Sequence, residues 1–163
     1  MHQVNHEIDD RFYRNAMGSF ATGVTVITTK VATEVYGMTA NAFMSVSLNP
    51  KLVAISIGKN AKMHQYIKDS QHFAINILSS NQQNVSKQFS GQLKSETAIT
   101  FATFNALPIV EDSLAVITCQ LYNEYIVGDH TIFIGLVTGL KLDQKDPLIF
   151  SQGKYRELLE LED

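Results

Sequence analysis

The stretch Gly37–Pro50, GMTANAFMSVSLNP, decides how the rest of the chain is read. Gly37 gives the backbone a freedom that a side chain removes, which predicts a sharp exit from a strand at that point. Thr39, Ala40, Asn41 and Ala42 are small, and Ser45 and Ser47 are interleaved with Phe43 and Val46. A run of this kind exposes main-chain amides and carbonyls and leaves room above them for a flat heteroaromatic ligand. The plainer reading is a bulged, well-packed strand pair, because a glycine in or beside a strand usually marks only a bend. Spacing alone favours the plainer reading.

On the N-terminal side, Ile8, Phe12, Tyr13, Ala16, Met17 and Phe20 share one helical face, which predicts a helix over about Asn5 to Ala21 with Gly23 as its stop. His2 and His6 stand four apart but have no third ligand nearby, so they do not make a metal site. Val24 to Val31 is rich in β-branched residues and reads as a strand, with a turn over Ala32 to Glu34. On the C-terminal side, Leu52 to Ile57 is an apolar strand that ends at Gly58. Asn60 then reads as the N-cap of a short helix to Asp69, with Met63, Tyr66 and Ile67 turned inward. Its first-turn amides and the flanking Lys59 and Lys62 suit an anion, although an ordinary capped helix explains them equally.

Phe73 to Leu78 reads as a strand, and Ser80-Asn81-Gln82-Gln83 as a capping box opening a helix to about Ser90. Gly91 to Asn105 has no period and reads as a long surface loop. Ala115 to Leu121 and Thr131 to Leu142 alternate as strands, with Gly128-Asp129-His130 as a turn between them. Leu148 to Phe150 is short and apolar, and Gly153-Lys154-Tyr155 precedes an acidic tail. The expected fold is mainly β with a few helices, an antiparallel barrel, in a single domain over 1–163.

With 163 residues, 45% hydrophobic and 18% charged, the chain has the composition of a soluble globular protein. A net charge of −3 without a basic stripe argues against nucleic acid as a partner. No run is long enough to span a membrane, and the N-terminus does not read as a signal peptide. The lone Cys119, set mid-strand among apolar residues, reads as a buried inert thiol, and a cytoplasmic location is expected. There is no Gly-rich dinucleotide fingerprint, P-loop, paired-cysteine zinc site or Gly-x-Ser-x-Gly elbow. Hydride chemistry remains open, because a flavin carries it without a Rossmann fold.

Five blocks, taken in order, resemble the flavin reductase family, the short reductases of two-component monooxygenases. They are Phe20 to Val26; Gly37 to Asn41 with Phe43, Ser45, Val46, Ser47, Leu48 and Pro50; Phe73 to Leu78 with Gln88 to Gly91; Gly128 to Thr131; and Pro147-Leu148 with Gly153 to Tyr155. The resemblance implies a six-stranded split β-barrel of the FMN-binding type, a symmetric homodimer, and a flavin groove between the subunits. It implies FMN or FAD as the flavin, NADH or NADPH as the reductant, and a flavin-dependent monooxygenase as a partner. It places Thr39, Ala40, Asn41, Ala42, Ser45 and Ser47 along the isoalloxazine and ribityl chain, and Asn60 and Lys62 at the phosphate. Phe89, Gly128, Asp129 and Tyr155 fall within its matched blocks as further binding residues, and His130 is placed beside the nicotinamide. Hydroxyl residues common in the family are replaced here by Ala42, Met44, Ala61 and Met63. These losses keep two alternatives open, a flavin-binding protein without turnover and a split-barrel oxidase or haem-handling protein.

Overall fold

The computed structural model describes residues 8–94 and 99–160. Helix α1, Asp10–Gly18, is capped by the Asp9 carboxylate, which accepts from Phe12 N at 2.7 Å. It is shorter than the apolar pattern predicts and stops at Ser19 rather than Gly23, while the expected start at Asn5, with His2 and His6, lies outside the described residues. A short strand β1, Thr22–Gly23, follows, then β2, Thr25–Val31, and β3, Glu34–Ala40. The turn between β2 and β3 places Ala32 at φ 53°.

Gly37 is not the predicted corner. It sits mid-strand in β3, paired with Thr28, and a Cβ there would stand 2.5 Å from the Phe89 ring. The glycine is therefore required by close approach and not by backbone freedom.

Strand β4, Phe43–Leu48, pairs with β5, Lys51–Gly58, through a bulge between Ser45 and Ser47. Helix α2, Lys62–Ser70, has Ala61 and not Asn60 at its N-cap, with no side-chain cap bond. Its Met63 and Ile67 are buried, and Tyr66 stacks on Tyr36 with ring centroids 3.7 Å apart. After β6, His72–Ile77, comes α3, Gln83–Phe89. The expected capping box does not form, since the N-cap of α3 is Gln82 without a side-chain cap bond; Gln82 instead ties the loop before the helix, its Oε1 accepting from Ser79 N at 3.0 Å and its Nε2 donating to the Glu111 carbonyl.

Part of the predicted surface loop is a strand. β7, Phe101–Phe104, forms a hairpin with β8, Leu107–Val110, around Asn105 and Ala106, both at positive φ. This hairpin covers the face of the sheet opposite α2, which is why Val116 and Thr118 are as buried as Ile117 and Cys119. Asn76, fully buried, ties the hairpin down. Its Nδ2 donates to the Val26 carbonyl, and its Oδ1 accepts from Val110 N at 2.9 Å.

The long strands β9, Ala115–Val127, and β10, His130–Leu142, complete a seven-stranded antiparallel sheet in the order β3-β2-β6-β9-β10-β5-β4, one strand more than expected. Strands β3 and β4 are its two edges although Asn41 and Ala42 alone separate them in the chain, so the barrel is split between them. The main core, centred on Ile27, Ile55, Phe73, Ile75 and Phe133, packs against Met63 and Ile67 of α2. β11, Ile149–Ser151, and β12, Lys154–Arg156, join β1 in a small sheet beside α3.

Candidate functional site

The junction between β3 and β4 opens onto two cavities that share Asn41. The larger, of about 640 Å³, lies between α1 and the outer face of the sheet. Met17 and Phe20 form one wall, Ala42, Phe43 and Met44 form another, and Ala54, Ser56 and Ile132 form the floor. The strand register explains the floor: Ser56 pairs with Ile132 and Ala54 with Ile134, so small residues on β5 leave a flat shelf beside the β10 side chains. Phe43 N donates to the Asn41 carbonyl and Ser56 N to the Ala42 carbonyl, which fixes the turn over the shelf. Thr22 lines the same groove, and its Oγ1 is buried without a hydrogen-bond partner among the described residues. A buried hydroxyl left unpaired costs free energy unless a ligand or water answers it. A wide apolar slot with one unanswered hydroxyl fits a flat aromatic ligand with a polar edge, as an isoalloxazine has.

The smaller cavity, of about 180 Å³, takes Thr39, Ala40, Ser86 and Tyr155 into its lining. Thr39 Oγ1 donates to the Ser86 carbonyl at 2.7 Å, and Tyr155 Oη to Ser86 Oγ at 2.9 Å. These bonds lock β3, α3 and β12 together. Phe89 stays in the adjoining core, its ring against Gly37 and 5.8 Å from that of Phe101.

The third element lies past the groove floor. His130 pairs with Gly58, two residues along the same face from the Ile132–Ser56 pair, and its ring stands over Gly58. Gly128, at φ 59°, makes the turn that presents it. Asp129 Oδ1 lies 2.7 Å from His130 Nδ1, and this hydrogen bond is the main cause holding the Asp129 carboxyl below its usual range. The Asp129 carbonyl accepts from Lys59 N at 3.0 Å, so this turn also anchors the entry to α2. Asn60 and Lys62 are exposed there.

Of the residues picked out from the sequence, Asn41 and Ala42 line the groove, Thr39, Ala40, Asn41 and Tyr155 line the smaller cavity, and Asp129, His130, Asn60 and Lys62 cluster around Gly58. Ser45 and Ser47 lie farther along β4 and line neither cavity. Sequence reasoning missed Met17, Phe20, Thr22, Ser56 and Ile132. Thr22 stands inside the matched Phe20 to Val26 block, so that block held the signal, whereas Ser56 and Ile132 become neighbours only through strand pairing.

A family model described as flavin reductase like domain matches residues 17–159. The chain is 37% identical over 159 residues to an NADH-dependent flavin reductase from a Rhodococcus species, covering 96% of this chain and 90% of that protein. It is 36% identical over 148 residues to the reductase component of 4-hydroxyphenylacetate 3-monooxygenase from Thermus thermophilus, covering 90% of this chain and 95% of that one. Among solved structures it superposes on flavin reductase PheA2 with a TM-score of 0.92 at 55% identity, covering 94% of this chain and 100% of that chain. It also superposes on the Streptomyces globisporus NADH:FAD oxidoreductase SgcE6, in complex with NAD and FAD fragments, with a TM-score of 0.87 at 32% identity, over 98% of this chain and 100% of that one.

Proposed function

Because this chain belongs to the flavin reductase-like domain family, we propose that it is an NAD(P)H-dependent flavin reductase in which the whole chain acts as one domain. It passes hydride from the nicotinamide to FMN or FAD, and the reduced flavin serves a partner monooxygenase. The observation that carries this reading is the apolar groove at the split between β3 and β4, with its flat floor and the unpaired Thr22 hydroxyl.

A flavin held there supplies the hydride acceptor. The protein's own residues stack, orient and exclude water. Ala54 and Ser56 leave the floor flat, Met17, Phe20 and Met44 shield the ring from solvent, and Thr22 Oγ1 meets its polar edge. His130, one rung beyond the floor, orients the nicotinamide and removes no proton in the hydride step. Asn60 and Lys62 at the start of α2, with its uncapped amides, hold the flavin phosphate. Such positioning is the main lever a protein has over direct hydride transfer.

The same reading includes a homodimer. No residue of α1 is buried, and Met17, Phe20 and Met44 of the groove wall, with Tyr125 on the rung of Ile132 and Ser56, are all more than half exposed. A second copy laid over this face would cover the apolar surface and roof the groove. A cytoplasmic location belongs to the proposal as well, and the buried free thiol of Cys119 suits a reducing compartment. No helix among the described residues is long and apolar enough to cross a membrane.

The test mixes purified protein anaerobically with FMN or FAD and adds NADH or NADPH in turn. Bleaching of the flavin well above a protein-free control supports the reading, and none with any pair overturns it. Light scattering in the same buffer reads the dimer.

A further inference from the structure

The β9–β10 hairpin that carries His130 is gripped from behind by one stripe of α2. His64 and Lys68 stand four apart on that helix, so they share a face. Lys68 Nζ reaches Glu124 Oε1 at 2.9 Å, and His64 Nε2 and Thr131 Oγ1 lie 2.9 Å apart in a hydrogen bond. In the ladder Glu124 pairs with Phe133 and Ile126 with Thr131, so the histidine bond is the contact nearer the turn. The two contacts differ in their surroundings. The ion pair is partly exposed, and such pairs contribute little. Thr131 is only 1% exposed, and the His64 ring stands T-shaped against the fully buried Phe133 with centroids 5.2 Å apart. His64 therefore answers a hydroxyl that is shut off from water.

Thr131 is also the last buried residue before the tip of the hairpin. Ile126, Val127, Gly128, Asp129 and His130 are all exposed. Strand alternation turns Thr131 and Phe133 toward the core and puts His130 on the opposite face, with Ile132 of the groove floor. A side chain that fixes Thr131 from within thus sets where its neighbour emerges outside. Backbone bonds alone do the rest: His130 is in the ladder with Gly58, and Lys59 N donates to the Asp129 carbonyl.

We propose that His64 is a positioning residue for the use of the nicotinamide. By bonding Thr131 on the core side, it holds the Gly128–His130 turn so that the His130 ring is presented on the groove face. The proposal rests on the reductase reading for the ligand that His130 meets.

Three variants isolate the bond. His64→Leu keeps an apolar contact with Phe133 and removes the hydrogen bond, Thr131→Val removes it from the other side at similar volume, and His64→Gln keeps a group able to make it. With FMN as acceptor, kcat/KM for the nicotinamide should fall about two- to tenfold in His64→Leu and Thr131→Val, the contribution of one neutral hydrogen bond, and stay near wild type in His64→Gln. Circular dichroism establishes that each variant is folded, and Thr131→Val carries the test if His64→Leu is not. In a His130→Ala background, His64→Leu should have no further effect, because it acts through that ring. The flavin-free protein gives a second readout: the His130 imidazole NMR resonances should move in His64→Leu and stay in place in His64→Gln. Lys68→Ala, on the same stripe of α2, should leave kcat/KM unchanged. An unchanged kcat/KM in the bond-deleting variants, an equal loss with and without His130, unmoved His130 resonances, or an equal fall in His64→Gln or Lys68→Ala overturns the proposal. Absence of flavin bleaching by the wild type refutes the reductase reading instead, and the NMR comparison still decides whether His64 holds His130.

Discussion

Replacing Gly37 by alanine tests the packing that holds the site together. The added Cβ would stand 2.5, 2.7 and 3.1 Å from three carbons of the Phe89 ring, all well inside van der Waals contact. Phe89 cannot simply swing away, because it packs against Phe101 and against the cluster of Val24, Val26, Leu78 and Leu148. Overpacking of this kind costs roughly 1–3 kcal/mol. Gly37 has ordinary extended backbone in mid-strand, so alanine there recovers roughly 0.5–1 kcal/mol of chain entropy. The net loss is about 1–2 kcal/mol, a fall in Tm of roughly 2–8 °C for a chain of this size.

Thermal and urea unfolding followed by circular dichroism measure it. Because the ring is the obstacle, Gly37→Ala in a Phe89→Ala background should be neutral or slightly stabilising. This coupling is what a double-mutant cycle isolates. The ring displacement should also pull α3 from β3, lengthen the Thr39–Ser86 bond and weaken flavin binding. Equal costs of Gly37→Ala in both backgrounds would refute the reasoning.

Lys62→Ala should weaken FMN by roughly tenfold to a hundredfold, the loss of one charge-assisted contact, and leave riboflavin nearly unchanged in fluorescence titrations; parallel shifts would remove Lys62 from the phosphate. His130→Ala should lower kcat/KM for the nicotinamide without abolishing turnover, and an unchanged value would take His130 out of the site. The Asp129 carboxyl is held below its ordinary 3.8, mainly by the His130 hydrogen bond, so its contribution to stability is present above that value and is lost as pH falls through the lowered one. The stability gap between wild type and Asp129→Asn should therefore be open at neutral pH and close in acid, and a pH-independent gap would contradict this. Burial pushes the Cys119 thiol up to about 12, so native protein should not react with a disulfide reagent at mildly alkaline pH, whereas unfolded protein should react fully.

The sequence made the strands legible wherever alternation was undisturbed, as in β2, β6 and most of β10. It misled where an element owes its place to a distant neighbour. Gly37 reads as a bend because nothing local announces Phe89, fifty-two residues on. Strand β7 reads as loop because its partner β8, and the buried Asn76 that anchors the hairpin, are what make it regular. Asn60 reads as a cap, but Ala61 has the capping conformation and its side chain cannot bond. For the site, the small residues at Thr39 to Ala42 and the turn at His130 were visible in the chain. The floor made by Ser56 and Ile132 exists only through the register of β5 against β10.

The location of the flavin is the claim on which the rest depends, and the methionines report on it. Met17 and Met44 line the groove, whereas Met63 is buried in the core at 3% exposure. With methyl-labelled methionine, FMN titration followed by NMR should shift the Met17 and Met44 methyl resonances through the ring current of the bound isoalloxazine and leave Met63 in place. Saturable FMN binding with Met17 and Met44 unmoved would contradict the account.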